Sequence, residues 1–529
     1  MMKERILSSL IAVIVVSSLQ AQGGDAAVPR LVVGLTIDQL RTDYIEAFSS
    51  LYGERGFKRL LREGRFYCNA EYDFINVDAA SSVAAVYTGT TPYYNGIPGE
   101  CWMDRASLRI IKSVDDTSYM GIYTGESTSP QRLLVSTLSD ELMVATQGGA
   151  EVYSIAPTRE MAVLAAGHAA KGAFWINDDT GKWSGSTFYG SFPNWVTSYN
   201  DREGLDFRID NVAWAPYLPV TSYRFVTSAA KQVSFKHDFS AERRSKYKKY
   251  KTSPYVNDEV NRLVNACVSN TPVGQDNVPD LLTLSYYAGN YGHASNAEYA
   301  MEIQDAYVRL DNSIGDLLDM LDRKVGLRNT LIFITSTGYT DPDPQAPPQF
   351  KVPGGEFHIK RCGALLNMYL MALYGQGQYV ETQYDRQIYL NHKLIEDKKL
   401  NLTEILNQSA DFIVQMSGVR DAYTSQRLAL GAWTPRIDKI RNSFHPRLSG
   451  DIYVEVMPGW TVVDEYSQTS TVVRETYSSM PLVFFGNSVK PEVVYTPVKM
   501  GIVAPTVAHC MRIRAPNAAI SAPLNGLRK

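Results

Sequence analysis

The sequence predicts an α/β fold in which helices cover both faces of a doubly wound, mainly parallel sheet. Three apolar runs, at residues 31–38, 281–285 and 330–335, have the length and composition of buried strands. Between the last two runs, apolar side chains recur every three or four positions, as on one face of an amphipathic helix: Ile303, Tyr307, Leu310, Ile314, Leu317 and Leu321. This strand, helix, strand order makes a right-handed parallel crossover the expected connection.

The N-terminus has the features of a secretory signal peptide. Lys3 and Arg5 precede an apolar stretch at residues 6–16, and a small-residue cleavage site follows at 19–21. We therefore expect residues 1–21 to be removed and residues 22–529 to form the folded domain. The protein would be exported through this peptide and be periplasmic or otherwise associated with the cell envelope. No later stretch is apolar enough to predict a transmembrane segment.

The rest of the chain alternates between helical patterns and less regular stretches. Residues 57–63 and 134–144 have helical spacing. Two stretches fit the sheet less well, and we expect them to be cap insertions at roughly 170–255 and 340–450. The run at 243–251 carries six basic residues among nine. We interpret it as a solvated loop, with a site for an acidic partner as the alternative.

Length, charge and cysteine content narrow the class of protein. A chain of 529 residues, 45% of them hydrophobic, can bury a large core. The formal charge of −3 becomes about −4 when Lys3, Glu4 and Arg5, with their net +1, leave with the signal peptide. This balance predicts neither nucleic acid nor an anionic membrane as a partner. The five cysteines show no C-x-x-C spacing, so we expect isolated buried thiols, although Cys68 and Cys101 could pair in an oxidising envelope.

One acid stands where a ligand site is expected. Asp38 ends the first apolar run, and ligands bind at the carboxyl ends of strands in α/β proteins, so it is the first candidate metal ligand. A two-metal centre needs several more carboxylates and imidazoles, because each divalent ion takes three or four protein ligands. The seven histidines show no zinc-binding spacing such as H-x-H, H-x-x-x-H or H-E-x-x-H: His168, His237, His293, His358, His392, His445 and His509.

Segments along the whole mature chain resemble a known family. They are residues 31–44, 87–92, 96–99, Trp102, Asp104 and Arg105, 166–168, 174–175, 253–257, 279–282, 305–311, 353–355, 387–391, 481–485 and 502–506. They are similar to the alkaline phosphatase superfamily, in particular the secreted zinc-dependent phosphatases of Bacteroidetes and their type I phosphodiesterase/nucleotide pyrophosphatase relatives. The resemblance implies an alkaline-phosphatase-like sheet sandwiched by helices, with inserted caps, and zinc-dependent hydrolysis of phosphoric esters.

The resemblance also shows where the nucleophile and the phosphate-binding side chains should stand. The family nucleophile, a threonine or serine, is replaced by Ala79. The family asparagine after the G-x-x-G turn is Glu100, and the K-x-R pair that grips the phosphate is Thr158 and Glu160. Two carboxylates would then face a phosphate dianion. At about 4 Å and an effective dielectric constant near 20, each repulsion is on the order of several kcal/mol.

Most of the family's metal ligands are replaced as well. By this resemblance Asp38 and His293 are the remnants of the two-zinc site. The other ligand positions carry residues that do not bind zinc: Asn290, Thr337, Gly338 and Ser479. We predict no cofactor on this basis.

Three hypotheses follow. The main one is a pseudophosphatase, catalytically inactive, that serves as a binding or structural module with a cell-envelope protein as partner. The alternative is a metal-dependent phosphomonoesterase or phosphodiesterase with a rearranged site and zinc, magnesium or calcium as cofactor. In that alternative Ser81 or Ser82 is the nucleophile, and the ligands are oxygen-rich: Asp38, Asp78, Glu100, His293 and one of Asp341 and Asp343. The third is a metal-free binder of small ligands or glycans with an aromatic cap around Trp175, Trp183 and Trp195.

Overall fold

The computed structural model describes residues 27–223, 234–242, 245–293, 300–339, 354–431, 434–465, 468–473 and 479–528. The predicted signal peptide, Asp341 and Asp343 lie outside these ranges, so those expectations stay predictions. Within the described residues, no helix has both the length and the apolar character that a membrane span requires.

Strands and helices alternate along the chain. The strands are β1 Leu31–Asp38, β2 Arg65–Glu71, β3 Cys101–Asp104, β4 Arg109–Lys112, β5 Gly121–Ile122, β6 Val152–Ala156, β7 Gly172–Ile176, β8 Trp183–Ser186, β9 Ala213–Trp214, β10 His237–Asp238, β11 Asp280–Tyr287, β12 Thr330–Ser336, β13 Glu356–His358, β14 Val380–Tyr384, β15 Gln387–Leu390, β16 Val419–Thr424, β17 Ile452–Val456, β18 Thr461–Asp464, β19 Thr469–Val472, β20 Met480–Gly486, β21 Glu492–Val494 and β22 Val498–Lys499.

The helices are α1 Thr42–Ala47, α2 Phe57–Glu63, α3 Ala79–Thr88, α4 Pro92–Asn95, α5 Leu138–Ala145, α6 Arg159–Ala166, α7 Asn194–Arg202, α8 Lys246–Lys251, α9 Tyr255–Asn270, α10 Met301–Lys324, α11 Ile359–Tyr374, α12 His392–Asp397, α13 Leu402–Val414, α14 Ser425–Leu430, α15 Pro435–Ser443 and α16 Val503–Met511. Short 3₁₀ turns lie at Ser49–Leu51, Thr187–Tyr189, Leu205–Phe207, Ile209–Asn211, Val220–Ser222, Phe239–Ala241, Tyr291–His293, Leu327–Asn329 and Met500–Ile502.

The central sheet is mixed, and its middle is parallel. Its strand order is β21-β2-β20-β12-β1-β11-β6-β7-β8-β5, with β22 paired to β2. The five strands from β12 to β7 run parallel. On one side β20 pairs antiparallel with both β12 and β2, and β2 pairs parallel with β21 and β22; on the other side β8 pairs antiparallel with β7. The fold class predicted from the apolar runs is therefore confirmed, and the first run forms the central strand β1.

Helices bury both faces of this sheet, as the near-continuous apolar strands require. On β1, Leu31, Val33, Leu35 and Ile37 belong to one core cluster, which also holds the inner faces of α9 and α10. Val32 points to the opposite cluster, which includes residues of α3 and α6. Because successive side chains of a strand alternate between faces, this one strand contributes to both cores.

A separate small core lies in the part of the chain between β13 and β19. It combines the four-stranded sheet β14-β15-β17-β16 and the three-stranded sheet β13-β18-β19 with α11 and α13. Trp175 and Trp183, proposed for an aromatic cap, are instead buried in strands β7 and β8 of the central sheet, and Trp195 is half-buried against the same core. The boundaries that we expect for the two cap insertions stay predictions.

Two local expectations differ from the structure. The helix expected from residue 134 begins at Leu138, because the Thr137 side chain accepts a hydrogen bond from the Asp140 backbone N–H and caps the first turn. The solvated loop expected at 243–251 is wrong for residues 246–251, which form α8. Tyr247 and Tyr250 of this helix are buried, so their aromatic rings hold the basic segment against the core.

Candidate functional site

The site begins where three parallel strands end together. The register of β1 with β11 sets Asp38 beside Tyr287, and β12 ends beside Ile37, so Thr337 follows directly next to Asp38. The Thr337 hydroxyl donates a hydrogen bond to Asp38 Oδ1 at 2.5 Å. The carboxylate expected to bind a metal is therefore already engaged by a neutral donor.

The charge state of Asp38 reflects its surroundings. Burial raises the pKa of Asp38, and the hydrogen bond from Thr337 together with the nearby His293 offsets only part of that rise. Asp78 is close enough to raise the pKa further by repulsion. Metal binding by Asp38 would require its carboxylate form.

His293 lies in the turn that follows β11. The Tyr287 hydroxyl donates to the Asn290 carbonyl at 2.6 Å and lies 3.3 Å from His293 Nδ1. The His293 backbone N–H also donates to the Asn290 carbonyl, at 3.0 Å. Tyr287, which we did not select from the sequence, thus orients the histidine, while Asn290 acts through its backbone. The sequence signal for Tyr287 was its place at the end of an apolar strand.

The position that the resemblance assigns to the family nucleophile is the first residue of α3. Ala79 occupies it, and Asp78 is the N-cap, with Oδ1 accepting from the Ser81 N–H at 2.8 Å. The other carboxylate oxygen, Oδ2, accepts from the Glu100 N–H at 2.7 Å. Asp78 therefore joins the start of α3 to the turn before β3, which is a structural task for a carboxylate.

Both serines near this position are engaged and buried. Ser81 Oγ donates to Asp78 Oδ1 at 2.8 Å and completes a capping box by accepting from the Asp78 N–H at 3.1 Å. Ser82 Oγ donates to the Asp78 carbonyl oxygen at 2.5 Å. Ser81 and Ser82 are both 0% exposed. Each hydroxyl therefore stabilises the first turn of the helix and has no open approach for an ester.

Two of the predicted pocket acids influence each other. Glu100 is exposed, yet partial desolvation and the repulsion from Glu160 and Asp78 raise its pKa to about 6. Glu160 lies in α6 and is paired with its neighbour Arg159, whose Nη2 is 3.1 Å from Glu160 Oε1. Thr158 is the N-cap residue of the same helix. The structure thus places Glu100 and Glu160, two positions that the resemblance assigns to phosphate binding, within electrostatic reach of each other.

The remaining predicted ligand positions do not build a metal centre. Gly338 packs against Val77, and the Ser479 hydroxyl donates to the Cys68 carbonyl oxygen at 2.7 Å. Across the described ranges, no three side chains of the His, Cys, Asp and Glu types lie close enough together to hold an ion. With Asp38 hydrogen-bonded to Thr337, the residues present do not fit the two zinc ions that the family implies.

A cavity of about 380 Å³ opens beside these residues, within the size range of small-molecule sites. Its lining includes Asp38, Tyr287 and His293 at and just after the strand ends, and Thr158 and Met161 of the α6 region. A further part of the lining, the lysine wall, comes from α8 and its flanks: Ser245, Lys248, Lys249, Lys251 and Thr252. The basic run of the sequence was the signal for this wall, but its proximity to Asp38 could not be read from it.

Comparison with known proteins assigns the family. The type I phosphodiesterase / nucleotide pyrophosphatase family matches residues 32–479 of this chain. The chain belongs to this family. It is thereby a member of the alkaline phosphatase superfamily, as the sequence segments indicated.

Relatives of this family member match over almost the whole chain. The alkaline phosphatase PafA of Elizabethkingia meningoseptica is 27% identical, over 97% of this chain and 98% of that protein. The alkaline phosphatase PhoV of Synechococcus elongatus is 29% identical over 100% of both chains. The crystal structure of wild-type PafA superposes with a TM-score of 0.83 at 26% identity, covering 96% of this chain and 100% of that one. The family member therefore has the alkaline phosphatase fold.

Proposed function

We propose that this protein is a pseudophosphatase: a binding module of the alkaline phosphatase superfamily that does not hydrolyse phosphoric esters by the two-metal route. One observation carries the proposal. Ala79 is the first residue of α3, where the family nucleophile stands, and its methyl group cannot attack phosphorus. The nearest hydroxyls, of Ser81 and Ser82, are buried in capping bonds.

The acids around this position support the same proposal. Burial and repulsion from Glu160 and Asp78 raise the pKa of Glu100, so this group of acids is unfavourable for a further negative charge. A phosphate dianion at Ala79 would add a further negative charge to this group. By the resemblance, Asp38 is the acid that would ligate a metal. In this structure its carboxylate accepts a hydrogen bond from Thr337.

Metal-dependent hydrolysis is the second candidate, and the relatives favour it. Two proteins named alkaline phosphatases match this chain over at least 97% of its length. In this candidate, zinc, magnesium or calcium binds near Asp38 and His293, and a group other than Ala79 attacks the ester. Ser81 would have to leave its capping box to do so.

Export through the predicted signal peptide and a protein partner in the cell envelope belong to the proposal as well. What supports them is the charged, apolar and small-residue pattern at the N-terminus, together with a binding module that lacks a nucleophile. Cell fractionation followed by cross-linking and capture of the tagged, full-length protein tests both. We expect the mature protein in the envelope fraction with one reproducible protein partner.

Metal content and turnover on one sample decide between the two candidates. The mature protein is dialysed against zinc, magnesium or calcium, its bound metal is measured by elemental analysis, and 4-nitrophenyl phosphate and bis(4-nitrophenyl) phosphate are offered as substrates. We expect less than stoichiometric metal and no turnover above the Asp38→Asn variant, the matched control. Stoichiometric metal together with turnover that Asp38→Asn abolishes would overturn the pseudophosphatase in favour of the hydrolase.

A further inference from the structure

The cavity beside Asp38 carries positive charge from helix α8. None of the positions that the resemblance assigns to phosphate binding lies in this helix. Lys248, Lys249 and Lys251 of α8 all line the cavity, together with Asp178 from the loop after β7. The described lining thus holds three lysines and two carboxylates, Asp178 beside the lysines and Asp38 at the strand end. Neither Glu100 nor Glu160 belongs to the described residues that line the cavity.

Asp178 cannot neutralise the three lysines. Lys251 forms an ion pair with Asp178 Oδ1, and Lys248 Nζ is 3.9 Å from Asp178 Oδ2. Lys249 Nζ lies 5.1 Å from the centre of the Tyr291 ring, and within the described residues no carboxylate pairs with it. Lys249 is thus held by a cation–π contact and keeps its hydrogen-bond donors for another acceptor.

The lysine wall is held in place by the surrounding structure. Tyr247 and Tyr250 of α8 are buried and anchor this short helix to the core. The lysines extend from the anchored helix toward the cavity. The Gly292 N–H donates to Thr252 Oγ1 at 2.9 Å, which joins the end of α8 to the turn of His293. Gly292 has φ +63, and a side chain there would collide with the Lys249 ammonium.

The rest of the lining is suited to an apolar body. Pro157, Met161 and the ring of Tyr287 contribute apolar surface to the lining. Asp38 also lines the cavity, and its Oδ1 accepts a hydrogen bond from the Thr337 hydroxyl. A ligand that matches both parts carries its charge at the lysine wall and a compact apolar group toward Met161.

We propose that this cavity binds a small organic anion, a carboxylate or phosphate on a compact apolar body, with Lys249 as its main partner and Lys248 and Lys251 as the positive rim. The inference rests on the proposed function, because an anion held here lies against α8 and is not cleaved at Ala79. Carboxylates and phosphates share the oxyanion that an ammonium group binds, and the experiment separates the two.

Calorimetric titration with matched probes tests the proposal. Benzoate and phenyl phosphate supply the two anions on the same ring, and benzyl alcohol is the neutral analogue. We expect the wild-type protein to bind at least one anion and not benzyl alcohol, with an affinity that falls as salt rises from about 20 mM to about 500 mM. Lys249→Gln should weaken anion binding about tenfold, a difference well above the error of the measurement.

Lys246→Gln is the matched control, because Lys246 lies in the same helix but pairs with Asp210 at 2.7 Å and does not line the cavity. It removes one positive charge from α8 and should change the affinity by less than about twofold. Thermal unfolding of both variants verifies that they are folded. Equal effects of the two variants, binding of benzyl alcohol as tight as that of the anions, or no anion binding by the wild type would overturn the inference.

The outcome is separable from that of the proposed function. Benzoate cannot be hydrolysed, so its dependence on Lys249 is read independently of any phosphatase activity. Metal-dependent turnover of phenyl phosphate would overturn the pseudophosphatase and leave the benzoate result standing. Absence of both turnover and anion binding would overturn the anion site and leave the pseudophosphatase standing.

Discussion

The Thr337 hydroxyl donates a hydrogen bond to Asp38 Oδ1 at 2.5 Å, across two neighbouring parallel strands. At this point the family resemblance places one metal-binding acid opposite another. By that resemblance Thr337 stands at the position of the second acid. In this structure its hydroxyl donates to Asp38, and this contact offsets part of the rise in the pKa of Asp38.

This pair predicts the effect of Thr337→Val. Valine keeps the shape but removes the donor, so the pKa of Asp38, already raised by burial, should rise further. Because the folded-state pKa of Asp38 lies above its unfolded-state value, stability falls as pH rises from the unfolded-state pKa to the folded-state pKa. The variant raises the folded-state pKa and so widens this pH interval. We expect a loss of about 1 kcal/mol at neutral pH and a smaller loss in acid, measured by denaturant unfolding at both.

Thr335→Val is the control for that change. Thr335 is a buried threonine of β12, the strand that Thr337 follows, and its hydroxyl donates to the Pro481 carbonyl oxygen at 3.2 Å rather than to Asp38. Its loss should destabilise the protein equally at both pH values. An identical pH profile of stability for Thr335→Val and Thr337→Val would show that the hydrogen bond from Thr337 to Asp38 does not contribute to the pH dependence.

Replacing Glu100 by glutamine and replacing Glu160 by glutamine should have opposite effects on stability. Because the pKa of Glu100 is raised to about 6, the protein should lose stability as pH rises from the ordinary value of 4.5 through 6. Glu100→Gln removes this repulsion and should stabilise the protein above that interval, by less than about 1 kcal/mol because Glu100 is exposed and screened. The gain should vanish at low pH. Thermal unfolding as a function of pH measures it.

Glu160→Gln should act in the other direction. Glu160 is 8% exposed and forms an ion pair with Arg159 at 3.1 Å. Its neutral replacement leaves a buried guanidinium with one partner fewer, so the free energy of unfolding should decrease. Stabilisation by both variants would mean that repulsion from Glu100 outweighs the pair with Arg159.

Ser81→Ala tests whether this serine is a cap or a nucleophile. The loss of the capping box with Asp78 should lower the free energy of unfolding by about 1 kcal/mol. The rate of release of 4-nitrophenol from 4-nitrophenyl phosphate should not change. A variant with unchanged stability and abolished turnover would identify Ser81 as the nucleophile of the second candidate function.

Restoring the nucleophile alone should not restore hydrolysis. Ala79→Thr places a hydroxyl at the family position, but the described residues around it still lack a metal centre. We therefore expect no zinc-dependent turnover above wild type. Adding Gly338→His, the family ligand, should destabilise the protein by about 1–3 kcal/mol, because Gly338 has φ +88 and a side chain there meets Val77. Turnover by Ala79→Thr with bound zinc would contradict the ligand assignment.

The sequence by itself determined the fold class and the family. The strands at 31–38, 281–285 and 330–335 and the helix at 57–63 were predicted because an apolar run or a helical stripe is a property of neighbouring residues. The assignment of Ala79 to the nucleophile position came from the family resemblance and stays a prediction.

Only the tertiary structure decided what the remaining side chains do. Lys249 was expected in a solvated loop and lines a cavity with Asp38, 211 positions earlier in the printed sequence (249 − 38). Ser81 was a candidate nucleophile and is a cap, and Trp183 was expected in a cap and is 0% exposed in the central sheet. Local patterns set which segments become strands and helices. Which side chains share a cavity, and which are buried, depends on contacts between segments far apart in the chain, and those contacts form only when the sheet and its covering helices assemble.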